Sequence, residues 1–511
     1  MGDNSRFSMI IINLALFLSH PHAITAQPSL NPPNLAPPVL GWNSWNAYGG
    51  QVTEHHIRKA ANDLVALGLQ DAGYTYINID DGWSERYRDP DGNLHANDNR
   101  FPSGIPSLVE YVNGRGLKLG IYADSGQYTC EGYPGSRGFE VKDAQLFVNE
   151  WGIEYLKYDN CFASVTDPVV DRYKAMKSAL DLAATAQRNS TSTNKNARPR
   201  KIVYSLCEWG VEAPWLWASG PEVGADSWRT TPDIQPAWTS ILYNLDASIG
   251  LSRFASPGHW NDLDMLEIGN GGLHSGQARA HMALWALLKS PLLIGTDLSK
   301  LTPSSLALLK SKELIAIHQD PLGVAGDLIW KQGAREVYAC PLSGGDRAVV
   351  LFNRHLLLDS SSSSNSSAAK PTIISVAWKE LGWPATVNAT VRDVLQQRDI
   401  TFRGGGRVVR GHYGAVVPPN DVHVVRISPV NVREEAPDSE AWRPWFDQKM
   451  FDDHGDVGVS DAHVAHDTHG MGVGVGKKPR VKRGRGGSLM MSSVQQGGGG
   501  DEGMRAVEAE L

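Results

Sequence analysis

From about residue 38 to residue 300, short apolar runs alternate with stretches of helical periodicity. LGWNSW (40–45) precedes a helical pattern from Glu54 to Leu67, and YTYINIDDGW (74–83) is rich in β-branched and aromatic residues before turning polar. LKLGIYAD (117–124) follows a helical pattern from Ile105 to Arg115. IEYLKYDNC (153–161) follows one from Val141 to Trp151, and KIVYSLCEW (201–209) one from Val169 to Ala186. DSWRTT (226–231), GHWND (258–262) and SPLLIG (290–295) complete the series. Strand then helix, repeated roughly eight times, predicts an α/β chain whose residues 38–322 form a (β/α)8 barrel. A doubly wound sheet is the alternative, but no glycine-rich phosphate loop follows the first strand. Beyond Leu322 the period changes to two, in DLIWKQ, EVYACPL, AVVLFN, TIISVAW, ATVRDV, GAVVPP and VHVVRI. Alternation with short turns predicts a C-terminal antiparallel β-sandwich over 323–430.

The two ends read differently from this body. Arg6, an apolar stretch from Met9 to Leu18 and small residues near Ala23–Ala26 have the form of a signal peptide over 1–26. That stretch is too short to span a bilayer, and no other run approaches the ~18 apolar residues a membrane helix needs. Pro28 opens a proline-rich lead-in. Residues 431–511 carry scattered His, a basic run from Lys477 to Arg485 and then Gly-rich sequence, and read as a disordered tail. Asn-x-Ser/Thr sequons at Asn189, Asn365 and Asn388 fit a secreted glycoprotein, of the extracellular space, the cell wall or a vacuole.

Composition narrows the class. The 511 residues carry a net charge of -7, which argues against a nucleic-acid partner. Only 4 Cys exclude a disulfide-stapled miniprotein, and 41% apolar residues suffice for a large core. Trp (16) outnumbers Phe (11), a bias that suits sugar-stacking surfaces as well as core filling.

The chemistry sits at one place in each repeat. Asp80-Asp81, Asp124, Asp159, Glu208, Arg229 and Asp262 or Asp264 all end strand-like runs, and in a barrel those ends share one face. Lys157 and Asp159, two apart on one strand, point the same way, with Tyr158 opposed. A Lys beside a carboxylate is expected to hold it ionised, as a nucleophile requires. Asp233, on a different loop, kept neutral would supply a general acid. Two carboxyls flanking one bond, with Trp available for a sugar face, is the apparatus of glycoside hydrolysis. Asp80-Asp81 reads better as a grip on sugar hydroxyls than as a metal pair, so neither metal nor cofactor is expected.

The segments GWNSWN, YINIDDGW, LKLGIYAD, YLKYDNC, YSLCEWG, WRTT, GHWNDLDMLEIGNGG and PLLIG stand in the order found in glycoside hydrolase family 27. Over residues 38–430 the chain resembles that family's plant and fungal α-galactosidases. The resemblance implies retaining removal of terminal α-D-galactose from oligosaccharides or galactomannan. Asp159 would be the nucleophile and Asp233 the general acid/base. Trp45 would stack on the galactose ring, and Asp80 and Asp81 would hold its 4- and 6-hydroxyls. Lys157 would bind the 3- and 4-hydroxyl edge. Arg229, Cys207 and Glu208 would lie near the 2-hydroxyl with Trp209 beside them, and Met265 would line the pocket. It also implies a Cys130–Cys161 disulfide at the pocket rim, which requires an oxidising compartment.

Two departures from the family pattern stand out. Where many relatives have a second disulfide, this chain has Gly49 and Gly82, and where relatives commonly have Pro between two Asp it has Leu263. Cys340 is expected to be a buried free thiol. β-L-Arabinopyranosidases of the family lack the acid at the first Asp of the pair, so Asp80 favours galactose. α-N-Acetylgalactosaminidases have small residues near the 2-position, where this chain has Cys207-Glu208-Trp209. A non-catalytic galactose-binding protein is the remaining alternative. Oligomeric state is not legible in the sequence.

Overall fold

The computed structural model describes residues 36–164, 166–190, 202–355, 370–402 and 404–430. The expected signal peptide, the tail and Asn365 lie outside them.

Eight parallel strands form one sheet: β1 (Leu40–Asn43), β2 (Tyr76–Asn78), β3 (Lys118–Asp124), β4 (Tyr155–Asp159), β5 (Val203–Cys207), β6 (Ser227–Arg229), β7 (Trp260–Asp262) and β8 (Leu292–Ile294). Sequential strands are neighbours, and β8 returns to pair with β1. A parallel bridge from Leu266 to Ile294 closes the last gap. The sheet is therefore a (β/α)8 barrel, with the C-terminal ends of its strands on one face.

Helices cover the outside: α1 (Trp45–Tyr48), α2 (Glu54–Ala66), α3 (Gly104–Asn113), α4 (Glu140–Gln145), α5 (Val169–Ser190), α6 (Trp238–Ala247), α7 (Ser275–Leu288), α8 (Pro303–Leu309) and α9 (Lys312–His318). Their sequences explain their faces. Thr53 caps α2 by accepting the His56 N–H, and Ile57, Ala60, Ala61 and Leu64 recur at helical spacing on its buried side. The segment after α4 continues as a π-helical turn over Leu146–Trp151. Asn189 falls in the last turn of α5.

The C-terminal region is antiparallel. Strands β9 (Asp327–Gln332), β10 (Arg335–Pro341), β11 (Arg347–Asn353), β12 (Thr372–Ala377), β13 (Asn388–Asp393), β14 (Arg398–Asp399), β15 (Val408–Arg410), β16 (His412–Val417) and β17 (Asp421–Val430) follow one another. A seven-stranded sheet runs β14-β13-β17-β11-β10-β9, with β15 also on β13, and β12 pairs with β16 in a second sheet. Period-2 alternation divides the large sheet's two faces. Val337, Ala339, Val349 and Leu351 pack toward β12 and β16, with Ile374 and Val376. Tyr338, Cys340, Val350 and Phe352 belong instead to the barrel's core. The sandwich thus buttresses the helix layer, and Cys340 is a buried free thiol, its pKa pushed up to about 12 by burial.

Most of the tryptophan excess has a structural use. Trp42, Trp228, Trp285 and Trp378 are fully buried. Among the described residues, no helix is long and apolar enough to cross a membrane.

Candidate active site

The strand ends of the barrel gather an unusual density of buried charge. Asp159 closes β4 and is buried, its Oδ1 accepting the Asn160 N–H at 3.0 Å. Alternation carries Lys157 to the same side, while Tyr158 turns outward against Tyr173 of α5, ring centroids 5.6 Å apart. Lys157 does not pair with Asp159. Its Nζ donates to Asp80 Oδ2 at 2.8 Å, and the same oxygen accepts Asn43 Nδ2 at 2.8 Å.

That pairing corrects the expected charge state of Asp159. Burial raises its pKa and the Lys157 charge lowers it, but Asp233 and Asp80 add repulsion, and the result is a carboxyl pushed up to about 7. Asp124 adds to the crowding. It ends β3 opposite Asp159 in register, is wholly buried, and brings a carboxylate oxygen within 4.8 Å of one on Asp159. Lys157 stays charged: burial alone would lower it, and Asp80, Cys207, Asp159 and Asp233 together hold it up.

Asp233 departs from expectation in the opposite direction. It stands four residues past the end of β6, its side chain 52% exposed, with Arg229 Nη2 at 2.9 Å from Oδ1. Its surroundings partly desolvate it. The Arg229 and Lys157 charges and hydrogen bonds from Arg229 and Trp209 outweigh that cost and hold the carboxyl below its usual range. Asp233 is thus the anion and Asp159 the group inclined to keep a proton.

Arg229 organises this side of the pocket. It is buried, reaches Asp264 Oδ2 at 3.1 Å, and points Nη1 at the Cys207 sulfur, 3.5 Å away. Asp264 in turn accepts the Ile234 N–H at 2.8 Å, fixing the residue after Asp233. It also accepts the Met265 N–H, and Met265 is buried. Asp81 accepts the Gly82 and Glu131 N–H groups at 2.6 and 2.9 Å and is raised by burial to about 6. Trp45 opens α1, partly buried, with its N–H on Asn43 Oδ1 at 2.8 Å. Trp209, partly exposed, has a left-handed backbone with φ 58°.

Glu208 behaves differently from the rest. It follows the end of β5, and its Oε2 accepts the Glu212 N–H of its own loop at 2.6 Å. Its Oε1 has no partner, and burial raises the carboxyl to about 8. The structure ties it to the β5 loop rather than to the Arg229 cluster.

The Cys130–Cys161 disulfide is present and joins the loops after β3 and β4. Its sulfurs lie within 4.8 Å of the Asp124 and Asp159 carboxylates, so the bridge abuts the site. The glycines that replace a second bridge show a different partner from the expected one. A Cβ on Gly82 would meet Gly50 Cα at 2.9 Å, whereas a Cβ on Gly49 would meet nothing within 4 Å. Gly50, not Gly49, is the residue Gly82 packs against, and the missing side chains permit that backbone contact. Leu263 also has a reason: its N–H donates to Ser290 Oγ at 3.0 Å, a bond a proline could not make.

Other residues of the site lie within the quoted segments but had no role assigned from the sequence. Asn43, the last residue of β1, links Trp45 to Asp80. Tyr122 is buried beneath the Lys157 ammonium, 5.3 Å from its ring centroid, with its hydroxyl 3.5 Å from Asp124 Oδ2. Glu267 accepts from Asn46 and, at 2.6 Å, from Asn270, while Asn46 also reaches the Ile234 carbonyl at 3.5 Å. This strut ties the loop carrying Trp45 to the loop carrying Asp233.

Comparison with known proteins agrees with this arrangement. Residues 38–320 match the family model described as α-galactosidase A, and residues 332–427 match that of the α-galactosidase C-terminal β-sandwich domain. α-Galactosidase 3 of Arabidopsis thaliana is 43% identical over 398 residues, 77% of this chain and 82% of that protein. The crystal structure of α-galactosidase I from Mortierella vinacea superposes with a TM-score of 0.66 at 31% identity, covering 76% of this chain and 96% of that one. An α-galactosidase from Saccharomyces cerevisiae, solved with raffinose, gives a TM-score of 0.66 at 27% identity, covering 79% of this chain and all (100%) of that one.

Proposed function

This chain belongs to the α-galactosidase A family, glycoside hydrolase family 27, whose α-galactosidases remove terminal α-galactose with retention; from that premise we propose how its residues divide the work. Asp159 attacks the anomeric carbon and forms a β-galactosyl ester, while Asp233 gives its proton to the departing oxygen. Asp233, now an anion, takes a proton from water, which displaces Asp159 and releases α-galactose. The observation that carries this assignment is the contrast between the two carboxyls at one barrel mouth. One is strand-mounted and buried; the other is loop-mounted, half-exposed and gripped by Arg229.

The proton has to sit on Asp233 when the bond breaks. Because the two groups interact, their protons belong to the pair rather than to either residue. A galactoside covering Asp233 removes its water and brings a leaving-group oxygen against it, favouring the neutral acid. Lys157 favours the anion at Asp159. Substrate binding thereby moves the shared proton to where it is used.

For galactose recognition, Trp45 stacks on the ring and Met265 lines the pocket. Asp80, already fixed by Asn43 and Lys157, takes hydroxyls at the 4- and 6-positions with Asp81. Arg229 and Cys207 face the 2-hydroxyl with Trp209, and Glu208 shapes that wall through its loop. Asp80 argues against a β-L-arabinopyranoside, and the Cys207-to-Trp209 wall against an N-acetylgalactosaminide. Substrates are α-galactosides of oligosaccharide or galactomannan type. The N-terminal apolar stretch and the rim disulfide support secretion.

NMR of the first-formed product from a panel of α-galactosides tests the whole reading. Initial α-galactose is expected. β-Galactose released first would overturn the double displacement, and binding without turnover would revive a galactose-binding role.

A further inference from the structure

Asp233 is mounted on a loop whose supports reach beyond the barrel. The carbonyl of Pro232, immediately before it, accepts Asn244 Nδ2 at 3.3 Å. Asn244 is a buried side chain of α6 that also serves the Leu263 carbonyl, at 3.0 Å. The Gln235 N–H donates to Ser240 Oγ of the same helix at 2.9 Å. Pro236 is pressed against Gly272, where a Cβ would stand 1.9 Å from the Pro236 carbonyl oxygen. The loop then runs directly into α6 at Trp238. Where α6 sits therefore sets where Asp233 sits.

The C-terminal sandwich fixes α6 at its start, in its last turn and in the loop beyond. At the start, Trp238 Nε1 donates to Asn420 Oδ1 at 3.2 Å, and its ring meets Phe352 of β11 edge-on, centroids 6.0 Å apart. In the last turn, Asp246 forms a two-pronged ion pair with Arg354, just past β11. Beyond it, Asp327 of β9 accepts the Gly250 N–H at 2.9 Å and the Ser252 hydroxyl at 2.6 Å.

Asn420 is itself tightly held. It lies in the turn between β16 and β17 and is 1% exposed. Its backbone is left-handed, φ 52°, a conformation Asn tolerates better than most L-residues. Its N–H donates to the Asn353 carbonyl at 2.7 Å, and its own carbonyl lies against Gly276, where a Cβ would be 2.8 Å away. Its neighbour Asp421 takes two bonds from Arg279 of α7, at 3.0 and 2.5 Å. The turn is thus clamped to β11 and α7, and its carboxamide oxygen meets the Trp238 indole. That acceptor is directional, so it fixes the first residue of α6 in one place.

We propose that Asn420 is a positioning residue for the acid/base: through Trp238 and α6, the C-terminal sandwich sets the reach of Asp233 toward the leaving-group oxygen. Asn420 touches no reacting atom. Releasing Trp238 lets the start of α6 and the loop before it drift, while Asp159 stays where the ladders of β4 put it. A small drift of Asp233 weakens proton donation without weakening the nucleophile. The inference rests on the assignment of Asp233 above.

Two variants break the same bond from opposite ends. Asn420→Gly removes the carboxamide and suits the left-handed backbone; Trp238→Phe removes the indole N–H and keeps a ring against Phe352. Each is compared with the parent enzyme on raffinose and on p-nitrophenyl-α-D-galactopyranoside through kcat/KM, which reports the steps up to the galactosyl ester. Both variants are expected to lose about fivefold on raffinose, whose leaving group needs the proton, and less than about twofold on the aryl galactoside. The double variant should lose no more than either alone, because one bond is broken in all three. Arg279→Gln loosens the same turn from α7 and should lower Tm without favouring either substrate. A loss shared equally by the two substrates, or found on neither, would overturn the positioning role and leave Asn420 a stabilising contact only. Asp233→Asn, measured alongside, keeps the two readings apart. If it shows no dependence on leaving group, the acid/base assignment falls; if it does and Asn420→Gly does not, the positioning role alone falls.

Discussion

The two carboxyls at the barrel mouth differ in how they are mounted, and the difference separates their tasks. Asp159 is the last residue of β4, locked by ladders to β3 and β5 and almost without solvent contact. Asp233 stands on a loop, half-exposed, and its position depends on Arg229, Asp264 and the Glu267 strut. A nucleophile must reach one carbon along one line, and a strand end gives that precision. An acid/base must alternately give and take a proton and admit water, which a loop at the rim allows. Charge follows mounting: burial raises Asp159, and Arg229 lowers Asp233.

The largest effect should come from Asp159. Replacing it with Ala removes the covalent step, and turnover should fall by ~10⁴-fold or more with every α-galactoside, whatever the leaving group. Azide can then occupy the vacated side and attack once, so any restored product should be β-galactosyl azide. Near-normal activity in a folded Asp159→Ala sample would dismiss the assignment.

Asp233→Asn should behave differently in three measurable ways. Its loss should be smaller with p-nitrophenol as leaving group than with a sugar, because a good leaving group needs less protonation. The ester should persist, and azide attacking it should yield α-galactosyl azide, the opposite anomer to that from Asp159→Ala. The acid limb of kcat/KM should also move to lower pH. Asp233 is a negative neighbour that raises Asp159, so removing it lets Asp159 ionise at lower pH. An unmoved limb would show that the two groups do not share their proton as argued.

A smaller effect is expected at Glu267. It touches neither reacting atom; it acts through Asn46, which joins Trp45's loop to Ile234. Glu267→Gln keeps the volume and presents a donor to an amide that needs an acceptor. About a tenfold loss in kcat is expected, greater with poor leaving groups than with p-nitrophenol. A loss confined to KM and equal for both substrates would limit the strut to Trp45.

The same contrast explains what the sequence could reveal. Barrel strands were legible because apolar runs ended in charge at regular intervals, and Asp159 was legible because period two placed it beside Lys157. The direction of its charge state was not, because that depends on how completely the folded barrel buries the carboxyl and on Asp233 and Asp80 converging on it from other loops. Neither fact is local in sequence. Asp233's ionised state depends on a guanidinium four residues back whose side chain could have faced elsewhere. Asn43, Tyr122 and Glu267 were hidden for the same reason: their partners lie on other strands and loops. Gly82 illustrates the limit most sharply, since only the backbone shows that it meets Gly50.

The smallest expected effect is on stability, where the two carboxyls should act with opposite signs. The folded Asp159 carboxyl is raised to about 7 from an ordinary 3.8, so between those values the folded chain keeps a proton that the unfolded chain releases. Stability from that proton is full below pH ~4 and is lost as pH rises toward 7. Asp159→Asn does not titrate, so its Tm should exceed the parent's by ~2–4 °C at pH 7, with the gain fading toward pH 4. Asp233 is lowered instead, so its contribution is present above pH ~4 and lost as pH falls through the folded value. Asp233→Asn should therefore lower Tm at pH 7, by only ~1–2 °C because the Arg229 pair is half in water. Thermal unfolding of the two variants and the parent, from well below pH ~4, where the Asp233 slope lies, up to pH 7, measures both slopes. Shifts of the same sign in both variants would mean that strand and loop mounting do not set the charge of these groups, and the division of labour would need another cause.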